Sequence, residues 1–237
     1  MGFVKVDELP SGATNVNPMR LDAVKQTATE VGARGALAYR SIQINHTLTQ
    51  ESTILDNIFN FNRLLLPHHV LPPVIQTSNN SMVIDNPNTI RGDAKTFELI
   101  QPAKFVTVAP TWRTYLWMNF PPPPVPNKVL LPKNKTEAVT WNNAIAVGWR
   151  EGLQQANNIF KLNLNHLKRD INGMILYKKL LAEHMISAPY VSSSSLGITG
   201  NSQQLRINDY IKRITSPAQL QPNSKKWSAI LTDLSHR

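Results

Sequence analysis

One long helical period constrains this chain more than any other feature. It begins near Asn134 and continues to Ile186, and an unbroken helix of that span would be about 80 Å long at 1.5 Å per residue. Gly173 is a predicted kink, so the period fits one bent helix or a helix pair, and Pro189 ends it. The small and apolar positions at spacings of three and four are Trp141, Ile145, Gly148, Trp149, Gly152, Ala156, Ile159, Phe160, Leu167, Ile171, Met174, Ile175, Leu181 and Met185.

Two shorter helices are predicted near the start of the chain. The first runs from Pro18 to about Leu48, and proline suits the first turn of a helix. The second runs from Ser52 to Leu65 and stops before Pro67. Its predicted buried stripe consists of Leu55, Ile58, Phe59 and Leu65.

Glycines in two of these segments predict close contacts. Gly32 and Gly35 mark either a break in the first helix or a close approach by another helix. Gly148 and Gly152 flank Trp149 in the long segment, which predicts a close helix crossing packed beneath an indole.

Extended structure is predicted in two regions. Antiparallel strands with a turn at 86–88 are predicted from the segments 70–76, 81–85, 95–101 and 103–108. Segments 190–199 and 203–214 predict a hairpin that turns at Gly200-Asn201. Five prolines in residues 121–126 predict a stiff, polyproline-like connector.

The order of these elements predicts an α+β fold. It consists of N-terminal helices, antiparallel strands, a long central amphipathic helix or helix pair, and a C-terminal strand hairpin. Residues 1–17 are predicted to be a flexible segment, and residues 18–237 a single domain. Two lobes of that domain are predicted to be joined by the proline-rich connector near 121–132, and Trp227, Ile230 and Leu231 to anchor the C-terminal tail.

Charge and composition exclude several classes of protein. The net charge is +10, but the basic excess is spread over the chain after residue 87 and forms no basic tail. This distribution disfavours nucleic acid as the main partner. The absence of cysteine excludes disulfide scaffolds, thiolate metal sites and cysteine nucleophiles. No apolar run reaches the ~20 residues of a membrane-spanning helix.

The search for a catalytic, metal or cofactor site predicts none of the three. His68 and His69 are adjacent, a spacing at which two side chains do not readily share one metal ion. Asp93 and Glu98 could form a glycosidase pair, but nothing distinguishes them from surface acids. The serine run 192–195 lacks the strained turn of a hydrolase nucleophile. No small-molecule substrate is predicted either.

The aromatic stretch 112–120 is the remaining candidate. Aromatic side chains beside a guanidinium suit a single-strand or sugar binder. They equally suit a core edge or a protein interface, where tryptophan, tyrosine and arginine are enriched. We hypothesise that this stretch and the proline connector lie at or near subunit contacts; the candidate contact residues are Trp112, Arg113, Tyr115, Trp117 and Phe120.

An ordered series of segments gives a family resemblance that covers residues 20–231. The series resembles the DotC lipoprotein family of the Dot/Icm type IVB secretion system, whose conjugative relatives are the TraI-type proteins of IncI plasmids. No single segment is diagnostic. The segments are ARGALAYRS at 33–41, LDNIFNFN at 55–62, LLLPHHVLPPV at 64–74, PTWR at 110–113, LPKN at 131–134, GW at 148–149, LKRD at 167–170, RIND at 206–209 and LQPNS at 220–224.

The resemblance implies a structural, non-enzymatic role in virulence or conjugation. Members are lipid-anchored at the periplasmic face of the outer membrane. There they join a DotD-like lipoprotein and a DotH-like subunit in the core complex through which effectors or DNA leave. The lipidated cysteine and leader of the family are not found in this sequence, so the anchor is expected to lie outside it.

Two alternative functions stay open at this point. The first is a periplasmic cell-wall (glycan)-binding or processing protein, which the tryptophans and the positive charge favour. The second is a nucleic-acid-binding conjugation factor, whose affinity would fall steeply with salt. No sequence motif supports either alternative.

Overall fold

The fold is α+β, as predicted. The computed structural model describes residues 17–87 and 89–228, and all structural statements below concern those residues. The predictions for residues 1–16, Ile230 and Leu231 lie outside them. Trp227 is inside: its indole nitrogen donates a hydrogen bond to the carbonyl of Gln221 over 2.8 Å, within the tail, and its side chain is exposed.

Helix α1 spans Pro18–Gln50 without a break. Asn17 caps it, because its side chain accepts a hydrogen bond from the Met19 amide over 3.0 Å and satisfies one of the amides that a helix start leaves free. Of the two interpretations of Gly32, the helix break is therefore wrong and the close contact is correct. A Cβ on Gly32 would overlap the carbonyl oxygen of Ile145.

Helix α2 is shorter than predicted and spans only Ser52–Ile58. The predicted burial of Ile58 is wrong, since its side chain is 61% exposed. The reason is that the helix stops early and a 3-10 turn, Phe61–Leu64, takes over. Asn60 caps this turn, and Phe61 is the side chain that becomes buried.

The long period forms one continuous helix. Helix α3, Trp112–Leu116, precedes it, and helix α4 spans Lys135–Ala182. The start of α4 is capped from both sides, since Asn134 accepts from the Glu137 amide and Glu137 accepts from the Lys133 amide, each over 2.9 Å. Of the two interpretations of this segment, the helix pair is therefore wrong and the single helix is correct. Gly173 leaves room for Val74 and Ile75, which a Cβ would overlap.

Three two-stranded antiparallel sheets lie within the described residues. The short strands β1, Val70–Leu71, and β4, Lys104–Phe105, pair with each other. Strands β2, Val74–Asn86, and β3, Thr89–Gln101, form the first long hairpin. Strands β5, Tyr190–Gly200, and β6, Leu205–Ser216, form the C-terminal hairpin, which confirms that prediction.

The chain divides into two compact units, each assembled from two stretches of sequence. Of the described residues, unit 1 comprises 17–58 and 112–165, and unit 2 comprises those in 59–111 and 166–228. The chain passes between them after Ile58, after Thr111 and after Asn165. The proline segment 121–126 lies inside unit 1 and belongs to no helix or strand.

Each unit has its own apolar core. In unit 1, α1 contributes Val24 and Ala28, and α4 contributes Trp141, Ala144 and Ile145. In unit 2, the core cluster consists of Ile75, Tyr177, Leu180, Ile186 and Ala218. Helix α4 therefore supplies core residues to both units. No helix in the described parts of the chain combines the length and the apolar character that crossing a bilayer takes.

The predicted helix crossing beneath an indole is confirmed in unit 1. A Cβ on Gly148 would overlap the carbonyl oxygen of Thr29, and one on Gly152 would overlap that of Ala33. The backbones of α1 and α4 therefore come into contact at these two glycines, which carry no side chain. The Trp149 ring covers the crossing and packs against Tyr39, with 5.6 Å between ring centroids.

Candidate interaction surface

The aromatic stretch 112–120 begins on a buried anchor. Trp112 is fully buried in unit 1, and its indole nitrogen donates a hydrogen bond to Asp56 Oδ1 over 2.6 Å. Arg113 donates to the same oxygen over 3.0 Å, and its guanidinium lies 4.2 Å from the centroid of the Trp112 ring. Asp56 on α2 thereby fixes the position of α3, and Trp112 acts as a core residue there.

The rest of the stretch rises from the core to the surface. Trp117 is 49% exposed, whereas Tyr115 and Phe120 are half-buried. Between them, Met118 is buried, and its backbone is held by two hydrogen bonds with the Asn45 side chain, over 2.6 and 3.1 Å. Trp117 is therefore an exposed aromatic ring on a firmly held backbone, the arrangement that suits a contact hot spot.

The candidate contact residues thus differ in availability. Trp112 is buried, Arg113 and Trp117 reach the surface, and Tyr115 and Phe120 lie between. A contact role for any of them stays a prediction. Sequence reasoning did not assign a role to Asp56 or Asn45, because each meets its partner only after the chain has folded back over more than fifty residues.

The fold and this surface belong to a chain with a clear family match. Residues 18–229 match the family model of the type IV secretory system TraI proteins, described as conjugal DNA-protein transfer. This span includes nearly every residue described above. The chain belongs to that family. No match was found among curated proteins.

The carboxylates of this TraI-family chain that are least exposed have structural partners. Glu137 receives two hydrogen bonds from Arg20, over 2.7 and 3.0 Å, and its side chain is 3% exposed. The hydrogen bonds from Arg20 hold the pKa of Glu137 below its ordinary value. Asp170 is buried and accepts hydrogen bonds from Arg169 and Gln101.

The other sequence candidates are dispersed in the TraI-family chain. Serines 192–195 lie in β5, and Glu98 is an exposed residue of β3 opposite Gln76. Asp93 pairs with Ser81 in the same hairpin. Residues His68 and His69 both have positive φ, and within the described part of the chain no group of three histidine or acidic side chains is placed to hold a metal.

A second exposed region lies on the C-terminal hairpin, and sequence reasoning passed over it. Large apolar side chains stand in water along both strands: Tyr190, Leu196, Ile198, Leu205, Ile207, Tyr210 and Ile211. A two-stranded ribbon is marginally stable on its own, and three strands or a packed helix are normally needed. The alternation of these residues in sequence predicted a strand but could not show that these side chains would stay exposed within the described part of the chain.

Proposed function

We propose that this chain is a structural, non-enzymatic subunit of the outer-membrane core complex of a type IVB secretion system. It assembles there with other envelope subunits and supports the export of effectors or DNA. The match to the type IV secretory TraI family over residues 18–229 carries this proposal. The finer assignment rests on the ordered DotC-like segments of the sequence, with DotD-like and DotH-like subunits as partners.

The surface of the described residues supports an assembly role. Exposed apolar side chains occur on several elements of the described residues; the C-terminal hairpin carries seven of them along its two strands, and Trp117 is exposed on the aromatic stretch. Exposed apolar patches of this kind mark sites of protein association. The hydrogen bonds of Glu137, Asp170 and Asp56 are structural, which supports a non-enzymatic role.

The proposed location is the periplasmic face of the outer membrane, with a lipid anchor in the full-length protein. This location follows from the DotC resemblance, whose members are lipoproteins. Labelling cells with a radioactive or clickable fatty acid and recovering the full-length protein from outer-membrane fractions tests it. Recovery of unlabelled protein from the cytoplasm would refute it.

The decisive experiment is reconstitution with the two predicted partners. The chain is mixed with purified DotD-like and DotH-like subunits, and complex formation is followed by multi-angle light scattering. We expect a complex of defined stoichiometry. Failure to bind either partner, alone or together, in an assay where the two partners bind each other would contradict the proposal.

In the same assay, variants of two exposed tryptophans test which part of the chain forms the contact. Trp117→Ala is expected to weaken the complex by about tenfold, since tryptophan contacts dominate interface energies. Trp227→Ala is the matched control, because Trp227 is similarly exposed at 43% but lies outside the stretch. Equal affinities for the wild type and Trp117→Ala would remove this stretch from the interface while leaving the assembly role intact.

The same preparation tests the alternatives. A cell-wall protein would sediment with purified peptidoglycan, and a conjugation factor would bind single-stranded DNA. Binding that disappears at moderate salt reports only the net charge of +10. Salt-resistant binding to either polymer, without binding to the subunits, would replace the proposed function.

A further inference from the structure

The C-terminal hairpin has an open edge with unusual chemistry. Residues 191–195 of β5 pair in unbroken register with residues 210–214 of β6. On the other side of β5, residues 192–195 make no backbone hydrogen bond to any described residue. This edge therefore presents a row of backbone donors and acceptors to solvent, which is the template for adding a strand.

The two strands of the hairpin differ in how their edges are protected. Natural edge strands are normally blunted by charges, proline or bulges. Strand β6 carries Arg206, Asp209, Lys212 and Arg213, and Asn208 has a positive φ of 57°. Strand β5 contains no charged residue and no proline from Tyr190 to Gly200, and its register shifts lie at either end of the 191–195 segment. The edge at 191–195 is consequently the one left open to pairing.

Basic side chains flank this open edge on both faces of the ribbon. Ser192 pairs with Arg213 and Ser193 pairs with Lys212, and successive pairs point to opposite faces. Neighbouring strands are about 5 Å apart, and serine side chains are short. Arg213 is therefore able to extend over Ser192 toward an added strand on one face. On the other face Lys212 Nζ lies 3.5 Å from His68 Nδ1, so an acidic side chain that reaches Lys212 meets it beside this histidine.

We propose that the β5 edge at residues 191–195 docks an extended, acidic segment of another subunit of the secretion complex. The segment adds a third strand to the ribbon. Its acidic side chains meet Lys212 and Arg213, and its apolar side chains reach over the serines to Tyr210 and Ile211, the exposed partners of Ser195 and Ser194. The inference rests on the proposed assembly role, because it requires a partner subunit.

Charge distinguishes this occupant from a second copy of the chain. The hairpin carries a net charge of +2 from its three basic residues and Asp209, and the whole chain carries +10. Pairing of two β5 edges would bring like charges together, whereas an acidic segment is attracted. Like charges placed opposite each other across an interface oppose association.

The distribution of side chains also favours a protein over a membrane. The hairpin tip, residues 201–204, consists of Asn-Ser-Gln-Gln, whereas the exposed apolar residues continue along the ribbon from Leu205 to Ile211. A hairpin that inserts into lipid needs an apolar tip. A strand lying beside the ribbon makes contact along its whole length.

A charge-reversal pair with a matched control tests the proposal in cells that assemble the complex. Lys212→Glu/Arg213→Glu reverses the charge on the C-terminal hairpin. Lys225→Glu/Lys226→Glu makes the same change in net charge at exposed positions outside the hairpin. Co-purified secretion subunits are quantified by mass spectrometry. We expect about a tenfold loss of one subunit for the first variant and little change for the second, because charges at a contact act locally.

Photo-crosslinking identifies the occupant. A photoreactive residue replaces Ser194 at the edge, and Ser224 serves as the exposed control site. We expect an adduct from position 194 with a net-negative peptide of one secretion subunit. An adduct to another copy of this chain, or to lipid, would overturn the inference.

The remaining outcomes separate this inference from the proposed function. If the wild type and both double variants recover the same subunits equally, the β5 edge is not the docking site, although the assembly role stands. If both double variants lose the subunit equally, the contact is general electrostatic attraction and the inference fails. If the wild type recovers no secretion subunit at all, the proposed function itself is wrong.

Discussion

Among single residues, Tyr177 carries an unsatisfied polar group. Its side chain is fully buried in unit 2, and its hydroxyl has no hydrogen-bond partner among the residues that the structure describes. Burial raises its pKa to about 12. A buried hydroxyl without a partner lowers stability, because water no longer solvates it.

Replacing Tyr177 by phenylalanine is therefore expected to stabilise the protein. We expect Tyr177→Phe to raise the free energy of unfolding by about 1 kcal/mol, measured by urea denaturation. Tyr39→Phe is the control, because the Tyr39 hydroxyl accepts a hydrogen bond from Gln43 over 2.9 Å at an exposed position. A loss of stability in Tyr177→Phe would show that the hydroxyl has a partner in solution.

Glu137 is the residue from which we expect a clear pH dependence. Its folded-state pKa is lowered by the hydrogen bonds from Arg20, so its contribution to stability is complete above its ordinary pKa. The contribution is lost as the pH falls through the lowered value. We expect Glu137→Gln to be about 2 kcal/mol less stable at neutral pH, and the difference to shrink as the pH falls below the ordinary pKa of a glutamate and through the lowered one.

The control for this carboxylate is Glu30, whose side chain is 56% exposed and pairs with Arg34 one helical turn away. Glu30→Gln is expected to change stability by less than about 0.5 kcal/mol, since exposed pairs are screened by water. A constant difference between the wild type and Glu137→Gln across the acid range would contradict the assigned pKa shift.

For single residues, the sequence predicts a hydrogen bond only where the two partners are close together along the chain. Asn134 and Glu137 stand at the spacing of a helix cap and could be recognised in advance. Arg20 lies 117 positions from Glu137, and no local rule connects the two. The same holds for Asp56, which meets Trp112 only in the folded unit.

At the scale of elements, the close crossing of α1 and α4 makes a sharp prediction. Gly148→Ala would push a methyl group into the carbonyl of Thr29, which is backbone and cannot rotate away. We expect a loss of about 2–3 kcal/mol, since overpacking forces backbone shifts. Thermal unfolding followed by circular dichroism measures it.

Gly92→Ala is the matched control for the crossing. Gly92 lies in β3, and a Cβ there meets no atom within 4 Å. We expect it to change the unfolding temperature little. Equal losses for the two variants would show that the effect comes from glycine-to-alanine exchange in general and not from the crossing.

Elements were predictable in proportion to the length of their pattern. Helix α4 and the C-terminal hairpin follow from periodicity alone, because many positions repeat the same signal. Helix α2 was predicted too long, because a short apolar run does not reveal where a 3-10 turn replaces the helix. The role of Gly173 was not predictable, because the glycine makes room for β2, which is about one hundred residues away in sequence.

At the scale of the whole molecule, the two units interleave along the chain. Each unit draws on two separate stretches, so a cut after Thr111 leaves neither unit complete. We expect the fragments 1–111 and 112–237, expressed singly, to lack a cooperative unfolding transition. Co-expression followed by calorimetry checks whether both stretches restore it, and a fragment that unfolds cooperatively alone would contradict the division.

The net charge of the whole molecule can be counted from the sequence, but the class of partner that it attracts cannot be predicted from it. The value of +10 fits an acidic subunit, a cell-wall polymer or a nucleic acid equally well. What separates them is where apolar side chains remain exposed beside the charge, and only the folded hairpin reveals that. The family was accessible from the ordered segments, because they span the chain.

The interleaving of the units also sets an order of events as the chain emerges, N-terminus first, into the compartment where it folds. The first stretch of unit 1 is complete at residue 58, but its partner stretch ends only at residue 165. Residues 59–111 emerge next but cannot complete unit 2, because the second stretch of that unit begins at residue 166. A nascent chain halted between these points exposes two half-built cores at once. Chaperone dependence should therefore peak before residue 165 has emerged into that compartment and fall afterwards.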